Sequence, residues 1–238
     1  MDSEIFSNEN FKDIDIRLTN LTSKRKKELP DLPTDSINLT DESQICFYKQ
    51  NKTVQKCLDY IKERKLDVAP NKPNTFYISL SDFSHKNRLC IPFYDRKNKI
   101  VFYQTRCLEN KNPKYLGKYG YDKTIFNFNK IDESFPYIFI FEGPIDSMFV
   151  KNGVAAAGLN LTKIQNDQLA EYPFHKRIWV LDNPSFDESS KIKITELLNK
   201  GENVFRWPAN MPYKDFNEMI MFEDLKQIST DSIINSLY

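Results

Sequence analysis

Beyond residue 135 the chain alternates short, almost wholly apolar runs with stretches of helical character, and few folds accept such a rhythm. "YIFIF" (137–141), "VAAAG" (154–158), "RIWVL" (177–181) and "NVFRW" (203–207) read as buried strands. Between them, "IDSMFVKN" follows Pro144 at a first helical turn and stops at Gly153, "TKIQNDQLAEY" starts with Thr162 as a cap, and "SSKIKITELLNKG" closes on Gly201. Repeated strand–helix units with short connections predict a parallel sheet covered by helices. Function in such sheets gathers at the carboxyl ends of the strands.

Three acids fall on that edge. Glu142 follows the first strand directly, Asp182 follows the third in "RIWVLDN", and Asp215 lies in "YKDFNEMI" soon after the fourth. Strand ends face water in most folds, and chance alone is enough to put two of the three acids there. Carboxylates brought close together repel unless a divalent cation is shared, so the pattern also reads as a Mg²⁺ site serving phosphoryl or nucleotidyl transfer.

Charge is segregated along the 238 residues, although the formal net charge is only +1. Residues 51–130 carry 17 Lys and Arg against 7 Asp and Glu, whereas residues 131–238 carry 10 against 16. The basic part interleaves Tyr and Phe, as in "RLCIPFYDRKNKIVFYQTRCLENKNPKYLGKYGYDK". Cations for phosphates and aromatics for bases suit a nucleic-acid surface; a merely solvated face has the same composition. Cys46, Cys57, Cys90 and Cys107 form no C-x-x-C pair and lie apart from His85 and His175, which predicts free thiols and no zinc. An acidic, polar start without a secretory pattern, and no apolar run of about 18 residues, predict a soluble cytoplasmic protein that crosses no membrane.

Residues 1–44, with "SKRKKELPDLPTDS", read as an arm or linker. Residues 45–132 form a basic α+β subdomain: Val54, Cys57, Leu58, Ile61 and Leu66 predict an amphipathic helix, and "RLCIPFYD" and "KIVFYQTRCL" flank the polar turn "RKNK" as hairpin partners. Residues 133–225 hold the parallel sheet, and 226–238 a C-terminal tail.

"FEGPIDSMFVKNGVAAAGLN" resembles the E-G-x-x-D signature of TOPRIM domains, and its run through "AAAGLN" is similar to that of DnaG-type bacterial and phage DNA primases. "RLCIPFYDRKNKIVFYQTRCLENKNPKYL", followed by "TIFN", resembles the basic subdomain that precedes TOPRIM in those primases, and "KDFNEMI" resembles the closing acidic element. The similarity covers roughly residues 45–222. It implies a TOPRIM-type α/β fold and assigns Glu142, Asp182 and Asp215 to catalysis and metal binding, with Asp146 as a further acid of the signature. Arg106, Lys114 and Tyr115 match positions that handle template or incoming nucleotide, while Arg88, Lys99 and Lys118 belong to the charged face, with a general phosphate-binding role expected of them.

The departures are specific. Pro184 stands where the family has the second acid of D-x-D, leaving Asp187 to substitute, and Asn217 stands at the final acidic position. Gln104-Thr105 replaces Gly-Gly before the family's Arg, and no lysine directly follows "IFN". The implied function is a primase core that joins ribonucleoside triphosphates into primers on single-stranded DNA with Mg²⁺ or Mn²⁺, with a helicase and a separate zinc-binding template reader as partners and, for a phage protein, the host cytoplasm as location. A non-catalytic TOPRIM nucleic-acid-binding module and a TOPRIM nuclease are the alternatives.

Overall fold

The structure, a computed structural model, describes residues 31–109 and 111–238. Two sheets form it. The first is a five-stranded antiparallel meander in the order β1 to β5, comprising β1 (Ser36–Asn38), β2 (Tyr77–Ser79), β3 (Arg88–Tyr94), β4 (Ile100–Cys107) and β5 (Tyr115–Gly117). The predicted hairpin is β3–β4, which turns at Asn98, a residue whose positive φ suits asparagine. All of β3 is buried, so it is the central strand.

Helices α1 (Glu42–Phe47) and α2 (Lys52–Glu63) precede β2. Asn51 caps α2 by accepting from the Thr53 and Val54 amides, and Val54, Cys57 and Ile61 face inward at helical spacing.

The second sheet is parallel, in the order β7-β6-β8-β9, and contains β6 (Tyr137–Phe141), β7 (Gly153–Ala155), β8 (Lys176–Val180) and β9 (Asn203–Val204). Helices α3 (Pro144–Ser147), α4 (Lys163–Ala170) and α5 (Glu188–Asn199) connect the strands, and α6 (Phe216–Phe222) and α7 (Thr230–Ile234) follow. Thr162 and Gln165 form the capping box of α4. The segment expected to be helical from Ile145 to Asn152 keeps only its first turn in α3. Beyond it the chain doubles back through Asn152, at φ 52°, whose side chain donates to the Asp132 and Tyr137 carbonyls.

One hydrophobic core runs through both sheets. Leu89, Ile91 and Phe93 of β3 share it with Phe139 and Phe141 of β6, and Phe93 meets Phe126 edge-on at 5.2 Å. Phe126 also bridges Ala155 of β7 in both directions, 3.0 Å and 3.4 Å, so the end of the basic subdomain borders the parallel sheet. The subdomains therefore share an interior instead of meeting across a linker.

Two expected boundaries move. The arm was placed at 1–44; residues 1–30 lie outside the described residues, but Ser36–Asn38 is an edge strand with Ile37 buried, because its apolar side chain completes the antiparallel sheet. In the segment 226–238, expected as a tail, Ile228 and Ile233 are buried, the Tyr238 amide donates to the Val204 carbonyl and the Arg206 amide donates to the Ser236 carbonyl. These contacts cover the outer edge of β9, which would otherwise expose unpaired backbone. No helix among the described residues is long and apolar enough to cross a membrane.

Gly153 marks the tightest approach. A methyl group there would stand 2.3 Å from the Ser147 carbonyl oxygen and 2.9 Å from that of Val150. Both carbonyls are held in place by the Asn71 amide. Gly153→Ala is therefore expected to lower stability by about 1–3 kcal/mol, as overpacking does, which a urea melt against the parent would measure.

Candidate active site

In the order β7-β6-β8-β9 the chain first winds to one side of β6 and then to the other, which places the switch point between β6 and β8. Helices leave such a point on opposite faces and open a crevice at the carboxyl ends of the strands. Glu142 and Asp182 flank that crevice, directly after Phe141 and two residues after Val180. Asp146 enters from the first turn of α3. Asp215 arrives on the N-terminus of α6, where its Oδ1 accepts the Glu218 amide at 2.8 Å. Phe216, the next residue, anchors that helix end against Phe141, Phe205 and Trp207 at ring separations of 5.7, 5.4 and 5.2 Å.

All four acids line one recess of about 10 Å³, roughly the room of one water-sized particle. Burial is the main cause of the altered titration of Glu142, Asp182 and Asp146. It raises Glu142, with Asp187 adding repulsion and Lys214 and Lys114 opposing. It pushes Asp182 up to about 7, reinforced by Glu142 and Asp215 and offset in part by Lys214. Asp146 is raised well above the usual range by burial and then by Asp215 and Asp182, while the Asn217 amide, 2.8 Å away, and Arg64 pull it down.

Among the described residues, no group of three or more His, Cys, Asp or Glu side chains is gathered tightly enough to grip an ion. The acids share a recess and a field without closing to coordination distance. Part of the reason is that Asp146, Asp187 and Asp215 each commit an oxygen to a backbone amide.

Asp187 is the N-cap of α5, yet it faces the cluster: Lys214 Nζ lies 3.8 Å from Oδ2 of both Asp182 and Asp187. Pro184 instead lines an open groove with Ile194, Leu198 and Tyr238. The loop between these acids is held by Asn183. Its Nδ2 donates to the Met211 and Tyr213 carbonyls (3.2 and 2.9 Å), its amide donates to the Lys214 carbonyl (2.8 Å), and its Oδ1 accepts the Ser185 amide (3.0 Å). Asn183 thereby ties the Asp182 loop to the segment that delivers Asp215.

Across the seam between the sheets stands a group of cations. Arg106 on β4 is buried; its Nε donates to the Tyr60 hydroxyl at 3.2 Å, and its guanidinium lies 4.8 Å over the Tyr115 ring. Its Nη1 is buried without a protein partner. The Lys114 ammonium titrates below its ordinary value through burial, then through the charges of Arg106 and Lys214, with Asp215 offsetting. Burial raises the Tyr115 phenol, with Arg106 opposing and Asp146 adding to the rise. Lys114 and Tyr115 thus lie within electrostatic reach of the acids, and Arg106 acts on both of them.

Two expected surface cations do not join them. Arg88 is buried, with Nε on Thr105 Oγ1 at 3.1 Å and Nη2 on the Pro113, Lys114 and Thr105 carbonyls at 2.8, 3.1 and 3.3 Å. Its donors hold the loop before β5, so the expected general phosphate role is corrected to a structural one. Lys118 lies against the rings of Tyr103 and Tyr121, at 5.7 and 5.8 Å. Tyr103 and Arg106 point to opposite faces of β4, which separates Lys118 from the acids.

Residues that the sequence reading passed over are Lys214, Asn183, Tyr60 and Arg64. Lys214 was visible beside Asp215 as the only cation in "YKDFNEMI". Tyr60 and Arg64, four apart on a helix, share a face, but nothing local shows what that face meets.

A carboxyl whose pKa is raised on folding holds more protons in the native state between its unfolded and folded values. Stability then falls as pH rises from about 3.8 to about 7 and stays lower above that window. Without divalent cation, Asp182→Asn is expected to melt higher than the parent at pH 8, and the gap should shrink toward pH 5; calorimetry across that range checks it.

No family model matches the chain. The curated DNA primase of Enterobacteria phage T4 is 29% identical over 221 residues, covering 84% of this chain and 61% of that protein. The chain thus spans less than two thirds of this relative's length. Among solved structures, the Escherichia coli primase catalytic core aligns with a TM-score of 0.53 at 14% identity, over 79% of this chain and 75% of that one. A DnaG primase catalytic domain bound to single-stranded DNA aligns with a TM-score of 0.52 at 14% identity, over 76% and 75%. The chain has the fold of the DnaG-type primase catalytic core and resembles DNA primases in sequence.

Proposed function

We propose that the chain is the nucleotidyltransferase core of a DNA primase, joining ribonucleoside triphosphates on a single-stranded DNA template in the cytoplasm of its host cell. The observation that carries this reading is the facing of two opposite charge sets. A recess of carboxylates at the switch point looks across the seam to the buried guanidinium of Arg106, whose Nη1 has no protein partner, and to Lys114. A triphosphate needs cations for its oxygens, and a phosphoryl-transfer centre needs acids that hold metal.

The donor chemistry suits Mg²⁺ or Mn²⁺, because every candidate ligand is a hard carboxylate oxygen and the acids repel one another in the absence of a shared cation, which would have to draw them together from their present spacing. Glu142, Asp182 and Asp215 would hold it, with Asp146 and Asp187 adjoining. Bound there, such an ion supplies charge neutralisation at the triphosphate and activation of the primer 3′-hydroxyl.

The protein's own groups do the rest. Arg106 and Lys114 bind phosphate, Tyr115 keeps the Arg106 plane fixed and offers a ring for a base, and Lys214 balances Asp182 and Asp187 until substrate arrives. The similarity to the phage T4 protein and the fold shared with a primase domain bound to single-stranded DNA support the template assignment. A replicative helicase and a zinc-binding template reader are the protein partners this reading implies.

Extension of a preformed primer with a free 3′-hydroxyl, with Mg²⁺ or Mn²⁺, tests the reading without requiring initiation. Asp182→Asn is expected to lower the rate by about 10²-fold or more, the scale of losing a preorganised electrostatic group. Folded parent that extends nothing would overturn the polymerase assignment. In a separate titration of single-stranded DNA against salt, Arg106→Ala or Lys114→Ala should each reduce the slope of log affinity by about 0.7. Unchanged slopes would remove these side chains from the phosphate contacts.

A further inference from the structure

The position of Arg106 relative to the acids is set by a chain of side chains that crosses from one sheet to the other. Asn217, the second residue of α6, is almost wholly buried at 1% exposure. Its backbone amide donates to Asp146 Oδ1 at 2.8 Å. Its side chain is spent on Arg64, the C-cap of α2: Oδ1 accepts from Arg64 Nη1 and Nδ2 donates to the Arg64 carbonyl, both at 2.9 Å. The Arg64 guanidinium lies 5.5 Å over the ring of Tyr60, one helical turn back. The Tyr60 hydroxyl then accepts from Arg106 Nε at 3.2 Å, and the Arg106 plane rests on Tyr115.

We propose that Asn217, Arg64 and Tyr60 form a strut that fixes the distance between the acid recess and the Arg106 guanidinium, which makes Asn217 a positioning residue and not a metal ligand. The chemistry of the amide is what the strut requires. Asn217 must accept from a guanidinium and donate to a carbonyl at once, and an ionised aspartate at the same place cannot donate. Held at Nε and by the Tyr115 ring, Arg106 keeps Nη1 buried and without a protein partner. A guanidinium prepared in this way suits a planar, bidentate anion such as a phosphate of the nucleoside triphosphate. Loosening any link leaves the charge in place and blurs its position, so nucleotide binding weakens while the chemistry of bound substrate is retained.

The inference rests on the polymerase reading for its substrate, and the experiment separates the two. Tyr60→Phe removes one hydroxyl and keeps the ring beneath Arg64. In nitrogen-labelled full-length protein, solvent exchange of the Arg106 Nε proton is expected to speed up on Tyr60→Phe. It should also speed up on Asn217→Ala, which touches neither Arg106 nor Tyr60; Asn217→Ser serves if the alanine variant does not fold. On a preformed primer, both changes should raise KM for nucleoside triphosphate about tenfold, the factor of one hydrogen bond to a charged group, with kcat altered less than about twofold. Calorimetric Mn²⁺ affinity should be unchanged by Asn217→Ala and should not rise with Asn217→Asp. Arg106 exchange that ignores Asn217, or Mn²⁺ affinity that falls with alanine and rises with aspartate, would overturn the strut. A parent that extends no primer would defeat the polymerase reading, and the exchange and Mn²⁺ measurements would still decide the strut.

Discussion

Several carboxylates at one switch point, withdrawn from water and in each other's field, are the constraint around which the remainder is arranged. Glu142, Asp146 and Asp182 are all harder to ionise than ordinary carboxyls, and in each case burial is the leading cause, followed by a neighbouring acid. A fold tolerates such crowding only when it holds the acids from several directions. Asp146 leans on the α6 backbone, Asp215 and Asp187 cap helices, and Lys214 stands between Asp182 and Asp187. The mutual repulsion that remains favours a cation at this edge of the sheet.

The continuity of the core gives this arrangement its rigidity. Phe93, Phe126 and Phe139 belong to one cluster although they come from different sheets, and Asn71 donates to the Ser147, Val150 and Gly153 carbonyls from the far side of the seam. Each side-chain amide that does this work, the half-buried Asn71 and the buried Asn183 and Asn217 among them, satisfies backbone groups at points where regular secondary structure ends. Domain motion between the basic and parallel sheets would have to break those bonds and open apolar surface. The seam is accordingly a fixed cleft, and the cations and acids on its two walls keep one spacing.

The departures from the D-x-D pattern have a local explanation. Pro184 faces an outer groove, and the loop it occupies is pinned by Asn183, so the acid that joins the cluster is Asp187 at the start of α5. Asn217, at the final acidic position, has its side-chain oxygen and its side-chain nitrogen both engaged by Arg64. Replacing an acid by an amide at that place exchanges a charge near the cluster for a two-way link to α2.

Much of the architecture followed from the sequence alone because it rests on short-range rules. Alternating apolar runs and capped helices specify strand–helix units, and the parallel order then requires the acids after successive strands to share an edge. Glu142, Asp182 and Asp215 were therefore legible from their positions after strands, and Arg106 and Lys114 from a resemblance in motif. The roles of Arg88, Lys118, Tyr60, Arg64 and Asn217 were decided only by tertiary structure. Whether a cation meets solvent, a ring or a row of carbonyls depends on which face of its strand is covered and by what. Arg88 and Arg106 sit on the paired strands β3 and β4, yet one ends on loop carbonyls and the other between the Tyr60 hydroxyl and the Tyr115 ring. Asn217 and Arg64 stand 153 residues apart in the chain, and only the packing of α6 against the end of α2 makes them partners.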